Sequence, residues 1–393
     1  MQAIRKILFI SYDGMTDPLG QSQVIPYLQG LSKKGLKFYL LSCEKPEAYA
    51  KNKELVVDLL SGYDIEWIPI QYTKKPPVVS TVIDLVRLRK KATQIYKEHN
   101  IELVHTRPGI PALIGLWMKK KFGIKFIHDI REFWADSRVD GGLWNIKNPL
   151  FNIIYKYFKR KESEEVAMAD GIVCLTHAAG KITAESPEYN KETPLQIVPC
   201  SADLDLFDPA KITITQKQQL RKELGIPEND LVISFLGSIG GWFLRTELLQ
   251  FGKLLYDKNS QLSFLFICPD QHEVIKAEAA KLGLPANKIV TKKASRREVP
   301  VLLSLSDYSA FFIKPCFSKL STSPTKHGEA MAMGIPVIAN DAAGDVKYII
   351  DKFQSGFVVN DLTTDSFNTV IDKIMAGYSF DPAAIRKGAE EFY

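Results

Sequence analysis

The chain has 393 residues, 46% hydrophobic and 24% charged, with 51 Lys and Arg against 45 Asp and Glu for a formal net charge of +6. This is a globular composition in a chain too long for one ordinary core, so two domains are expected. The mild basicity suits anionic ligands and makes no case for nucleic acid. The cysteines at 43, 174, 200, 268 and 316 stand singly with no CxxC pair, which argues against a structural zinc site and for a reducing compartment.

From the N-terminus, short β-rich runs alternate with longer amphipathic segments. Strands are predicted at 6–11, 37–42, 65–69, 103–106, 125–128 and 171–175, with helices among the intervening segments at 21–34, 81–99, 110–120 and 150–168. A proline-bearing break, "PCSADLDLFDP" at 199–209, follows. The rhythm then restarts with strands at 231–236, 263–267, 289–291, 308–313, 336–339 and 356–359. Repeated βα units predict parallel sheets covered on both faces, here as two doubly wound domains, 1–200 and 201–393, facing a central cleft. Ligands of such sheets bind beyond the carboxyl ends of the strands, so the loops after strands are where chemistry is expected. No apolar run reaches 18 residues, and "MQAIRKILFISYDG" reads as a first strand and not as a signal peptide. A cytoplasmic location is expected.

Four loops stand out. After the first strand, "SYDGMTDPLGQSQ" places Gly14, Gly20 and Gln21 before a helix, where glycine lets backbone approach a ligand; an ordinary strand-to-helix turn reads the same way. After the strand at 125–128, "HDIREFWADSR" crowds His128, Asp129, Arg131, Glu132 and Asp136 together, with Arg107 of "HTRPGIP" following the neighbouring strand. Such density of ionisable groups is more than a connection needs, although a lone His at a strand end is more often structural. In the second half "GSIGGWFLRTELL" sets Gly237, Ser238, Gly240 and Gly241 ahead of a helix, a general phosphate-loop form that matches neither GxGxxG nor GxxxxGK[ST]. Finally, "SPTKHGEAMAMGIPVIAND" (323–341) opens a helix near Thr325, after Ser323 and Pro324, with Lys326 in its first turn and Glu329 three residues on. A cation there opposes the helix dipole, and a bound anion would remove the conflict. A surface Lys326–Glu329 pair is the plainer alternative.

With these stretches assembled, the chain resembles a retaining glycosyltransferase of the GT-B fold, family 4 type, over nearly its whole length. The likeness rests on the N-terminal strand and Gly loop, on "VPCSADLDLFDP", on "LGSIGGWF" and above all on "PTKHGEAMAMGIPVIANDAAGDV". It implies a UDP- or GDP-type nucleotide sugar as co-substrate, no further cofactor, no metal, and a glycan or lipid-linked acceptor of the kind used in bacterial surface polysaccharides. It implies diphosphate contacts from Lys326 and the Gly237–Gly241 loop, ribose contacts from Glu329, and donor-sugar or acceptor contacts from His128, with Gly20, Gln21, Arg107, Asp129 and Arg131 on the acceptor side. Two departures stand out. Ser321 occupies the place of a first Glu, eight before Glu329, leaving backbone amides around Ser321–Ser323 to take over some of its contacts. Only Arg245 is basic in 238–245, so Lys326 carries more of the phosphate charge. A UDP-sugar 2-epimerase or a non-catalytic nucleotide-sugar-binding scaffold on the same fold are the alternatives. Basic clusters at Lys74–Lys75, Arg87–Lys91 and Lys119–Lys121 raise peripheral contact with an anionic membrane face, against the simpler reading of solvated helix faces. Similar enzymes commonly continue past "IRKGAEEFY" into a helix crossing back to the first domain, so that helix is expected to be short or cut off here.

Overall fold

The computed structural model describes residues 5–76 and 78–393. The chain divides into two compact units, Met1–Val198 and Pro199–Tyr393. Among the described residues each unit is built on one parallel sheet.

In the first unit, β1 (Lys6–Ser11), β2 (Lys37–Glu44), β3 (Ile65–Gln71), β4 (Leu103–Thr106), β5 (Lys125–Ile130), β6 (Gly171–Cys174) and β7 (Leu195–Ile197) lie in the order β3-β2-β1-β4-β5-β6-β7. The apolar run of β1 is buried on both sides. Ile7 and Phe9 pack under α1 (Ile25–Ser32) and α2 (Pro46–Leu60), while Leu8 and Ile10 pack on the opposite side under α3 (Val79–His99), α4 (Ile110–Phe122) and, beyond the short α5 (Trp134–Asp140), α6 (Pro149–Met168). That double burial is why the strands read as continuous apolar runs and not as alternating ones. The three-residue edge strand β7, just after α7 (His177–Ala184), escaped the sequence reading, as did α2.

The second unit orders β8 (Leu231–Leu236), β9 (Leu262–Ile267), β10 (Ile289–Lys292), β11 (Tyr308–Phe311), β12 (Val337–Asn340) and β13 (Gly356–Val359) as β10-β9-β8-β11-β12-β13. Helices α8 (Ile214–Glu223), α9 (Arg245–Lys258), α10 (His272–Lys281), α11 (Val299–Leu303), α12 (Thr325–Ala332), α13 (Val346–Phe353), α14 (Thr364–Met375) and α15 (Pro382–Phe392) complete it. Strand β11 stops two residues short of the expected 313. The side chain of Asn340, at the end of β12, takes both backbone groups of Ile313, accepting from its N–H at 2.8 Å and donating to its carbonyl at 2.9 Å.

Both sheets reverse direction of winding beside their first strand, between β1 and β4 and between β8 and β11. These are topological switch points, where the loops on either side diverge and leave a crevice. The sheets are therefore two doubly wound α/β layers.

Sheet geometry fixes one glycine absolutely. Gly356, at φ 152°, opens β13 so close to β12 that a Cβ would lie 1.9 Å from the Val337 carbonyl oxygen. Gly377 also has positive φ, 74°, but faces open space. Gly356→Ala is expected to cost roughly 2–3 kcal/mol of unfolding free energy, since backbone cannot yield to it. Gly377→Ala should cost only about 1 kcal/mol, the conformational term alone. Urea denaturation of the two variants checks the difference, and equal costs would overturn it.

Candidate functional site

At the switch point of the second unit, β8 runs into Gly237, Ser238, Ile239, Gly240 and Gly241, with φ of 93°, 92° and 62° at the three glycines. The loop folds back on itself as the Phe243 N–H donates to the Gly240 carbonyl at 3.1 Å. Phe243 then bridges to Ile313, just beyond β11. The glycine loop is thus tied to the loop that leads, through a short turn at Phe317–Ser321, into α12.

Lys326, in the first turn of α12, reaches into this crevice. Its Nζ lies 3.4 Å from the centroid of Phe243 and 4.1 Å from that of Phe235, and 3.5 Å from where a Cβ on Gly237 would sit. The stem is half-buried, but the nitrogen itself has no solvent contact and no hydrogen-bond partner. Burial drives its pKa well below the usual lysine range, with Glu329 pulling weakly the other way. Two aromatic faces attract a cation but do not replace three lost hydrogen bonds. Pro324 gives the helix no side-chain cap, so the dipole's positive end is added to the same place. The glycine loop, the Lys326 amino group and the helix end thus bring a proton-binding group and the positive end of a helix dipole to one place.

Glu329 is buried and does not pair with Lys326. Its carboxylate accepts from Arg296, whose guanidinium also stacks over Phe207 at 4.8 Å. The surface Lys326–Glu329 pair is therefore absent. A second ammonium, Lys319, lies over Trp242 at 3.7 Å, next to the aromatic that holds Lys326. Lys319, Arg296 and the Trp242–Phe243 pair were missed in the sequence, where only the glycines and Ser238 of "GSIGGWF" stood out. Ser321 is buried, and its hydroxyl donates to the Ser318 carbonyl at 2.8 Å, closing the turn. The Ser323 hydroxyl accepts from Cys200 N at 3.2 Å, tying the 199–209 segment to the site loop. Arg245 sits at the rim of Gly240, but its charge is committed to Glu278, with Gln271 accepting at 2.8 Å.

The orientation of α12 is set from behind. Gly328 lies flat against Tyr393, whose ring would be 2.8 Å from an added Cβ, and the Tyr393 hydroxyl contacts Nδ1 of the buried His327 at 3.1 Å. Burial pushes His327 down to about 3, so the ring is neutral at pH 7.

In the first unit the residues at 128–131 separate instead of crowding one loop, because His128 and Asp129 still belong to β5 and point to opposite faces. Asp129 faces His105 Nε2 at 3.3 Å and accepts from Arg131 Nε at 3.0 Å. Burial alone would raise its pKa; Arg131, His105 and Arg107 outweigh that and hold it well below the usual carboxylate range. Arg107 extends this network to Asp13 at 3.8 Å. His128 is buried on the other face with Nε2 3.8 Å from Glu165 of α6, and its Nδ1 has no partner. Burial takes His128 down to about 4 and pushes Glu165 up, so neither need carry charge. Gly20 touches Gly14, where a Cβ would meet the Gly14 carbonyl at 2.3 Å, and Gln21 Nε2 donates to the Thr16 carbonyl at 3.2 Å. The loop is pinned by Glu44, which no sequence pattern singles out. Its buried carboxylate accepts from the Met15 and Thr16 backbone N–H groups at 2.8 and 3.1 Å and from the Thr16 and Ser42 hydroxyls. Among the described residues no group of three His, Cys, Asp or Glu side chains has metal-holding geometry.

Comparison with known proteins bears on the fold and on family likeness. Residues 216–391 match the family model described as Glycosyl transferases group 1. The two parallel-sheet domains, of seven and six strands, match GT-B glycosyltransferase structures. Among them is a glycosyltransferase from Rickettsia africae, at TM-score 0.73 and 19% identity over 99% of this chain and 94% of that one. Another is Anabaena HepE in complex with UDP, at TM-score 0.69 and 13% identity over 99% and 95%. A curated relative, the alpha-monoglucosyldiacylglycerol synthase of Streptococcus pneumoniae, is 22% identical over 270 residues. That match takes in 64% of this chain and about half of the relative, 54%.

The neutral His327 has a consequence for acid stability. Its folded pKa of about 3 lies below the unfolded 6.5, so the unfolded chain binds the extra proton first, and stability falls as pH drops from 6.5 toward 3. His327→Gln keeps an acceptor for Tyr393 and removes the titration. Unfolding free energy of the second unit should fall less steeply with acid in the variant, measured by urea denaturation between pH 7 and 4. Parallel slopes would rule out His327 as the source.

Proposed function

We propose that the protein transfers a sugar from a nucleoside-diphosphate sugar to a hydroxyl of a glycan or lipid-linked acceptor, with retention at the anomeric carbon. The observation that carries this reading is the desolvated, unpaired Lys326 ammonium against the Gly237 loop, within the segment matched by the group 1 glycosyltransferase family. Breaking the glycosidic bond leaves growing negative charge on the distal phosphate. A fixed cation, glycine-loop backbone and a helix end aimed at that charge stabilise it more than they stabilise the ground state. Because Lys326 supplies this charge, we propose that transfer needs no metal. Gly237, Ser238, Gly240, Thr325 and Lys326 would hold the diphosphate. Glu329 would accept from the ribose hydroxyls once Arg296 shifts aside or shares the carboxylate. The first unit would take the acceptor through the Arg107–Asp129–Arg131 network, and the unpartnered Nδ1 of neutral His128 would serve a sugar hydroxyl.

Removing Lys326 should have opposite effects on stability and binding. Lys326→Met deletes a buried amino group that has no hydrogen-bond partner and should raise apo stability by roughly 1–3 kcal/mol. The same change should weaken a nucleoside diphosphate by roughly 1.5–3 kcal/mol, leaving the nucleoside unaffected. Calorimetry with both ligands checks this, and equal loss for both would overturn the phosphate role. His128→Ala should lower turnover strongly while nucleotide affinity stays within a few fold. Turnover of a radiolabelled nucleotide-sugar panel, with and without a chelator, reads out the loss and separates transfer from epimerised product or binding alone. Unchanged turnover in the variant would make His128 a packing residue.

A further inference from the structure

The first two turns of α3 are inside out. The face toward the sheet carries Ser80 and Asp84, 4% and 0% exposed, whereas Val79, Val82, Ile83 and Val86 point outward at 52%, 54%, 37% and 60%. This orientation is anchored, because Asp84 accepts from the Tyr12 hydroxyl and from Thr73 N, both at 3.0 Å. A helix that spends its apolar stripe on the outside, spaced i, i+3, i+4, i+7, has no stabilising reason to do so within its own fold. On α6 the pattern recurs, with Leu150, Ile153 and Tyr157 exposed at i, i+3, i+7. Between the two helices, floored by α4, lies a groove of about 250 Å³ whose apolar lining includes Leu85, Leu113, Trp117 and Tyr157.

Charge says what covers this face. Residues 74–91 and 143–161 contain eleven Lys and Arg and one acid, the buried Asp84, with Lys159 paired to Asp136 and Glu162 and Lys161 to Glu164. Lys90, Lys147, Lys156 and Arg160 are exposed around the apolar stripe, and Arg89 lies over Trp117 at 4.0 Å at the groove. The basic cluster at 119–121 is less available than the sequence implied, since Lys119 pairs with Asp170 and Lys120 with Glu164. A second copy of so basic a face would repel itself. An anionic bilayer satisfies both features, with aliphatic side chains entering the interface and ammonium groups meeting lipid phosphate. No helix among the described residues is long and apolar enough to cross a membrane, so the contact is interfacial.

We propose that the outer faces of α3 and α6 form a docking surface for an anionic phospholipid bilayer, with the α3–α4–α6 groove open to an acyl chain. This does not rest on the donor-site reading, and its test needs no nucleotide. The full chain is floated with vesicles of phosphatidylcholine alone or mixed with phosphatidylglycerol. Binding is expected to the mixed vesicles only and to weaken with added salt. Val82→Ser/Val86→Ser, and separately Ile153→Ser, should cut partitioning by about tenfold, with unchanged thermal midpoints because these side chains are exposed. Failure to float with either vesicle, or undiminished flotation of both variants, would overturn the proposal. So would a wild-type dimer in light scattering that the variants convert to monomer, since the face would then belong to a second copy.

Discussion

The second unit is organised around one buried amino group without a hydrogen-bond partner, Lys326 Nζ. An ammonium removed from water without a carboxylate is costly and gives up its proton more readily, and at Lys326 two aromatic faces and the nearby Glu329 offset only part of that cost. That arrangement requires Gly237, whose φ of 93° turns the loop beside Nζ, and Phe243, whose bridge to Ile313 brings the ring under Nζ. A site whose amino group is already stripped of water and fixed in place has little left to reorganise when an anion arrives and favours its protonated form.

Holding such a group in place takes rigidity from several directions. Asn340 clamps the end of β11 through Ile313, so the loop entering α12 starts from a fixed point. Behind the helix, Gly328 admits the Tyr393 ring to van der Waals contact, and His327 is locked in its neutral form. The first unit follows the opposite plan. Its buried Asp129 has Oδ2 held by His105 and Arg131, and Glu44 is saturated by two amides and two hydroxyls. There the polar network stiffens the loops and leaves little charge uncompensated.

What the sequence disclosed follows from the range of each interaction. Strands buried on both faces announce themselves as apolar runs, and β1, β4, β8 and β13 fall where those runs predict. Lys326 was legible because a cation in a first helical turn conflicts with a local rule. Arg296 as the partner of Glu329 was not, since the two are 33 residues apart and only the sheet brings them together. Glu44 was hidden for the same reason. The 128–131 cluster was misread differently, because a strand's period of two sends adjacent residues to opposite faces, so nearness in sequence became separation in space.

Period also explains why α3 was read as an ordinary amphipathic helix. Its stripe of Val79, Val82, Ile83 and Val86 has the spacing of a core face, and nothing local says which way that face turns. The deciding residue is Asp84, whose side chain finds donors only on the inside, from Tyr12 and Thr73. Buried carboxylates need such partners more than valines need burial. One polar anchor therefore rotates the helix and leaves the apolar stripe for another surface to cover.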